Sequence, residues 1–177
     1  SQGIYDVTVQ AVRGQLTDHY DPRTKTVNLS EPVYGSASVS AIGVAAHECG
    51  HAIQEHVGYA PLRLRAAFVP VANLGSKLSW PLILLGLMIG LTPFIQVGIW
   101  MFVLALLFQV ITLPVEFNAS GRAVGLLEQL GILQGQEVAD TRRVLGAAAL
   151  TYVAAVAASV LQLLRLLLLF GGRRRDD

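Results

Sequence analysis

Between Lys77 and Glu116 the chain carries no charged side chain: 38 consecutive positions, Leu78 to Val115, are uncharged and mostly apolar. Two membrane-crossing helices need about 20 residues each, so the run has the length of a helical hairpin through a bilayer. Gly90-Leu91-Thr92-Pro93 interrupts it near the middle. Proline cannot continue the helical hydrogen-bond ladder, and it biases the residue before it away from helical backbone. The pattern predicts a first helix that starts before Leu78 and ends near Leu91, then a second from about Phe94 to Leu113.

A further uncharged run extends from Val144 to Leu164, resumes after Arg165 as Leu166 to Phe170, and stops at Gly171-Gly172-Arg173-Arg174-Arg175. Arg165 lies close enough to the end of the run to snorkel toward an interface. Three such helices in 177 residues leave too little polar chain to cover them as core helices of a water-soluble domain. Charged residues make up 14% of the chain, against roughly 25% in soluble domains. The predicted fold class is therefore a mainly α integral membrane protein with three transmembrane helices, its partner the lipid bilayer. A formal charge of +1 and 53% hydrophobic residues exclude a disordered tail and a nucleic-acid-binding domain. The single cysteine, Cys49, excludes an intrachain disulfide framework and any cysteine-based zinc cluster.

The polar part is short. Arg13 to Asp18 and Thr24 to Ser30 read as two strands of a β-hairpin, with Tyr20-Asp21-Pro22-Arg23 supplying proline at a favoured turn position. Ser38 or Ser40 is placed to cap a helix that runs through Ile42, Val44, Ala45 and Ala46 toward His56. Residues 121–143 hold two polar helical stretches punctuated by Gly131 and Gly135.

On the capped helix stands His47-Glu48-Cys49-Gly50-His51, an H-E-x-x-H string. Positions four apart share a helix face, so both imidazoles can reach one zinc ion. Glu48 is displaced about 100° from His47, toward a water on the metal rather than the metal itself. Zinc lowers the pKa of such a water toward 7, and a neighbouring carboxylate can take its proton and pass it to a leaving amine. His56 is about 140° around the helix from His51, which suits a helix end or water better than the metal. Cys49 faces away from the metal and reads as a small core residue. His19, in Asp18-His19-Tyr20-Asp21-Pro22, either holds the turn together or stands near the site as an oxyanion or substrate contact.

A catalytic zinc needs a third protein ligand and an open position. A third histidine six residues after the second is excluded, because Gln54 and Val57 occupy the positions where that pattern has glycine and histidine. The remaining type takes a carboxylate from a second helix, with Glu31, Glu55, Glu116, Glu128 and Glu137 available. A hairpin that leaves the H-E-x-x-H side and returns to it delivers Glu116 to the membrane surface beside His47 and His51. Asn118 is a neighbour that either orients a ligand or caps a turn.

The strings GQLTDHYDPRTKTVNLSE, AIGVAAHECGHAIQ, YAPLRLRAAFVPVANLGSKLSW, LPVEFNAS and AALTYVAA resemble the YugP-type neutral zinc metallopeptidases of bacterial membranes. The resemblance covers nearly the whole chain. It implies a membrane-bound zinc endopeptidase with His47 and His51 as zinc ligands and Glu48 as general base. Glu116-Phe117-Asn118-Ala119 is also similar to the third-ligand motif of HtpX-type and CAAX-prenyl-type membrane zinc proteases, which place a membrane hairpin between their two zinc motifs. Ser120 stands where the HtpX-type pattern carries an acid, so no supporting role transfers to it. Gly121 replaces an expected basic residue. Members usually begin with a membrane helix, and this chain opens on Ser1 without one, which predicts a truncated or clipped N-terminus.

The expected organisation is a β-hairpin and zinc-helix part of a small α+β zincin-like domain over residues 1–65, then a transmembrane hairpin over 66–115. A third-ligand helix and amphipathic connection follow over 116–143, and a transmembrane helix with a basic tail over 144–177. The expected activity is hydrolysis of peptide bonds in a peptide or protein substrate. Candidate donors to the oxyanion are His19, Tyr152 and Arg122; Tyr152 lies near the start of the third helix, where it serves equally well as an interfacial anchor. The strand before the zinc helix is expected to pair with an extended substrate. The rival is a non-catalytic membrane scaffold or assembly factor with a structural zinc. Basic residues near helix ends on the polar side, Arg63, Arg65, Lys77, Arg122, Arg142 and Arg143, lean toward a cell-membrane protein with a cytoplasmic active site, against Arg173 to Arg175 on the other side.

Overall fold

The predicted strand Arg13–Asp18 does not form, because Gly14 (φ 107°) and Leu16 (φ 57°) both take left-handed backbone within it. Strands form on either side of that bend in the computed structural model, which describes residues 2–171. The basic tail Arg173–Arg175 lies outside the described residues. Strand β1 is Thr8–Val12, β2 is His19–Asp21 and β3 is Thr26–Ser30. β2 and β3 pair antiparallel around the Pro22 turn, so the hairpin exists with a shorter and later first strand. β1 adds to the other edge of β3 in parallel, giving the order β1-β3-β2. All five residues of β3 are buried. Since β3 has neighbours on both edges, it cannot pair with a substrate as expected; the free edges belong to β1 and β2.

Among the described residues five helices follow: α1 Glu31–Tyr34, α2 Val39–His56, α3 Ala60–Ile89, α4 Thr92–Gln129 and α5 Gln136–Phe170. The Ser38 hydroxyl accepts the Ala41 N–H at 3.3 Å and so caps α2. α4 does not stop near Leu113. It runs on through Pro114 to Gln129, and α5 starts at Gln136 rather than at Val144, so the two polar helical stretches are continuations of apolar helices. α3, α4 and α5 are each long and apolar enough to cross a membrane.

The chain divides into two compact units, Ser1–Arg63 with Pro114–Leu150, and Leu64–Leu113 with Thr151–Asp177. In the first, Ala123, Val124 and Leu127 of α4 form a core with Leu133, Val138 and Leu145, against which Val39, Ile42 and Ala46 of α2 pack. In the second, the buried positions of α3 are Ala72, Gly75, Ser79, Ile83 and Gly86, a three-and-four spacing that marks one helix face. A Cβ on Gly75 would lie 2.6 Å from Met101 O, and one on Gly98 would lie 2.7 Å from Ser79 O. The α3–α4 hairpin thus packs backbone to backbone over small residues, as helices do where burial from water supplies no drive. Gly90 (φ 72°) turns the chain between them, and Leu91 N–H donates to Gly86 O at 2.9 Å, which closes the end of α3.

Candidate metal centre

His47 and His51 project from one face of α2, their rings edge to face with centroids 4.7 Å apart. Glu116 reaches them from α4. Its Oε2 lies 3.3 Å from His47 Nε2 and 3.7 Å from His51 Nε2. One ligand atom from each of the three residues falls within 4.8 Å of the others. A tetrahedral zinc with bonds near 2.0–2.1 Å separates neighbouring ligand atoms by roughly 3.4 Å, so the set has zinc-like spacing. Two imidazole nitrogens and one carboxylate oxygen are also a donor set zinc accepts while leaving a position open.

Gly50, inside the H-E-x-x-H string, explains how α4 comes so close. A Cβ there would sit 2.6 Å from Ala119 O, and Ala119 itself is fully buried. Any side chain at position 50 would push α4 away, and Glu116 stands one helical turn before Ala119.

The orientation of His51 can be assigned by tracing donors outward. Val115 O can only accept, and Gln54 Nε2 donates to it at 2.8 Å and to Asn118 Oδ1 at 3.0 Å. This turns Gln54 Oε1 toward His51 Nδ1, 3.0 Å away, so Nδ1 carries the proton and the Nε2 lone pair points at Glu116. Arg122 Nε–H donates to Asn118 Oδ1 at 2.8 Å and holds that amide in turn. His47 Nδ1 meets Ser120 Oγ at 3.1 Å. Gln54 is completely buried, and none of its polar atoms lacks a partner.

Glu48 is buried beside the pair. Burial raises its carboxyl above the usual range, while His51, His47 and the N–H of Tyr20 act in the opposite direction. The Tyr20 N–H comes from β2, and the Tyr20 hydroxyl donates to Glu55 near the end of α2, so this edge strand is fastened to the helix at two points. Burial lowers the His51 pKa, but the Glu116 carboxylate outweighs it and the net shift is upward. A proton and a metal ion would compete for that nitrogen.

The other sequence candidates fall elsewhere. His19 sits on β2 with Nδ1 2.8 Å from Thr17 O and Nε2 3.2 Å from Asn28 Nδ2. A carbonyl only accepts, so Nδ1 holds the proton and Nε2 accepts from the amide, leaving the ring no donor for an oxyanion. His19 holds the sheet together. Tyr152 lies on the part of α5 that belongs to the second unit. Cys49 is not a core residue: its side chain is exposed along an apolar cleft of about 530 Å³, whose surrounding walls displace water from the thiol and push its pKa up. His56 is the exposed last residue of α2, as its angular offset predicts. Gln54 and Ser120 are the contributors that motif reading misses. Both carry a signal in their spacing, Gln54 three residues after His51 and Ser120 four after Glu116, each on the same helix face as the residue it follows.

The sequence profile of the family described as putative neutral zinc metallopeptidase matches residues 1–171. The putative membrane protease YugP of Bacillus subtilis (strain 168) is 49% identical over 175 residues, which cover 99% of this chain and 78% of that protein. No solved structure matches the chain significantly.

Proposed function

The chain belongs to the family of putative neutral zinc metallopeptidases, and on that premise we propose that it is a membrane-bound zinc endopeptidase acting on membrane or membrane-proximal proteins. The observation that carries this reading is the convergence of His47 Nε2, His51 Nε2 and one Glu116 oxygen next to buried Glu48. Zinc, when bound, supplies polarisation of the scissile carbonyl and acidifies water. His47, His51 and Glu116 would hold it, and Gln54 and Ser120 keep the two rings aimed. Glu48 takes the proton of the attacking water onto its carboxylate and returns it to the leaving amine.

Peptide pairing is assigned to β2, which carries no further strand on its outer edge among the described residues and whose Tyr20 N–H meets Glu48. An extended segment laid along that edge passes beside the general base. With β3 and α2, this strand makes up the zincin-like part of the protein. Tyr152 is carried forward as an oxyanion donor on its sequence position alone. A structural zinc is disfavoured because the described residues supply a group of three donors, where closed sites use four. The active site is assigned to the cytoplasmic side of the cell membrane from the basic residues at helix ends. Labelling of single engineered cysteines in a Cys49→Ala background on intact cells checks it, and external labelling of the polar unit reverses the assignment.

The deciding experiment is Glu48→Gln. It should bind one zinc per chain and lose about 10²- to 10⁴-fold in cleavage of an unfolded fluorescent casein. Cleavage at the wild-type rate with zinc bound would falsify the mechanism.

A further inference from the structure

Arg122 is the first basic residue after the uncharged run that ends at Val115. Its Nε–H is engaged by Asn118, and among the described residues no carboxylate lies within ion-pair distance of it. The other four of its five N–H donors are left for a ligand. The half-buried side chain lines a cavity of about 490 Å³, whose wall combines Asn118, Arg122 and Gln129 with apolar Ile53, Phe117 and Leu126. A cavity of this size accommodates a small amphiphilic molecule.

We infer that this cavity is a binding site for the phosphate of an anionic phospholipid headgroup. The planar fork of Arg122 matches two phosphate oxygens. Ile53, Phe117 and Leu126 offer the glycerol and first methylene groups an apolar wall. Arg122 follows the membrane-length apolar run by seven residues, about two turns of α4, a distance over which a long cationic side chain meets headgroup phosphates. Nothing acidic in the cavity lining opposes them. The site also has a physical connection to the metal centre. An anion that fixes the Arg122 plane fixes Asn118, hence Gln54, hence His51. This last link rests on the zinc reading above; the lipid site does not.

The test is calorimetric titration of the zinc-loaded full chain, in neutral detergent and without substrate, against three probes: dihexanoyl phosphatidylglycerol, inorganic phosphate and dihexanoylglycerol. The phosphatidylglycerol should bind at least about tenfold more tightly than either other probe, and Arg122→Gln should weaken it at least about tenfold. Gln129→Glu places a negative charge in the cavity without touching the chain to His51, and should weaken lipid binding similarly while keeping one zinc per chain. Lipid binding by both variants at wild-type affinity overturns the site, as does equal binding of dihexanoylglycerol. Equal binding of inorganic phosphate overturns the lipid as its source. By chelator competition, the lipid should tighten zinc severalfold in the wild type and not in Arg122→Gln. An unchanged zinc affinity in both overturns the link to His51. Glu48→Gln should bind the lipid as the wild type does, so a failed protease reading leaves this result standing.

Discussion

Two helix contacts in this molecule use the same device for different ends. In the second unit, Gly75 and Gly98 let α3 and α4 meet backbone to backbone, and what surrounds them is Ser79, Ile83 and other small or apolar residues. In the first, Gly50 lets α2 meet α4 at Ala119 just as closely, yet this contact is flanked by His47, His51, Gln54, Glu116 and Asn118. The hairpin contact gains only dispersion and needs nothing beyond closeness. The α2–α4 contact uses closeness to bring together polar groups that neither helix could satisfy alone. A missing Cβ is therefore a packing feature in one unit and a condition for bringing His47, His51 and Glu116 together in the other.

The comparison breaks most sharply at Gly50. Gly50→Leu should abolish stoichiometric zinc binding, measured by metal analysis of the purified protein. Gly50→Ala, which displaces α4 by less, should cost about 10²-fold in peptide cleavage, the usual effect of moving a catalytic group by 1 Å. A wild-type rate for Gly50→Ala would mean that the contact does not position Glu116. Gln54→Ala comes next, with zinc affinity weakened about 10- to 100-fold by chelator titration. The matched change in the other unit, Gly98→Ala, should leave zinc stoichiometry intact and lower stability by about 1–3 kcal/mol in a denaturation series. Loss of zinc from Gly98→Ala would erase the distinction between the two contacts. Tyr152→Phe should reduce kcat without a change in zinc content or KM.

The parts of the structure that could be read in advance are those whose cause is local. Uncharged runs announce membrane-length helices because nearly every position must be apolar, and H-E-x-x-H works because helix spacing alone aligns two rings. Glu116 could be located by topology, since a chain that crosses and returns has few carboxylates to offer at the right place. The strand boundaries failed for a local reason of another kind: Leu16 takes left-handed backbone that leucine rarely adopts, which alternation of residue types cannot reveal. Pro114 misleads in the opposite sense, because the helix continues through it. The Gln54–Asn118–Arg122 chain was out of reach for a deeper reason. Which way an amide turns is decided by a carbonyl 61 residues away, that of Val115.

The groups that aim the two histidines are a carboxamide and a hydroxyl, with a second carboxamide and a guanidinium behind them. None of these gains or loses a proton anywhere near neutrality. Acidification therefore leaves the aiming apparatus as it was and reaches the candidate centre through His51 and Glu48. A carboxylate in the place of Gln54 would have coupled ring orientation to acidity. This protein keeps the two separate.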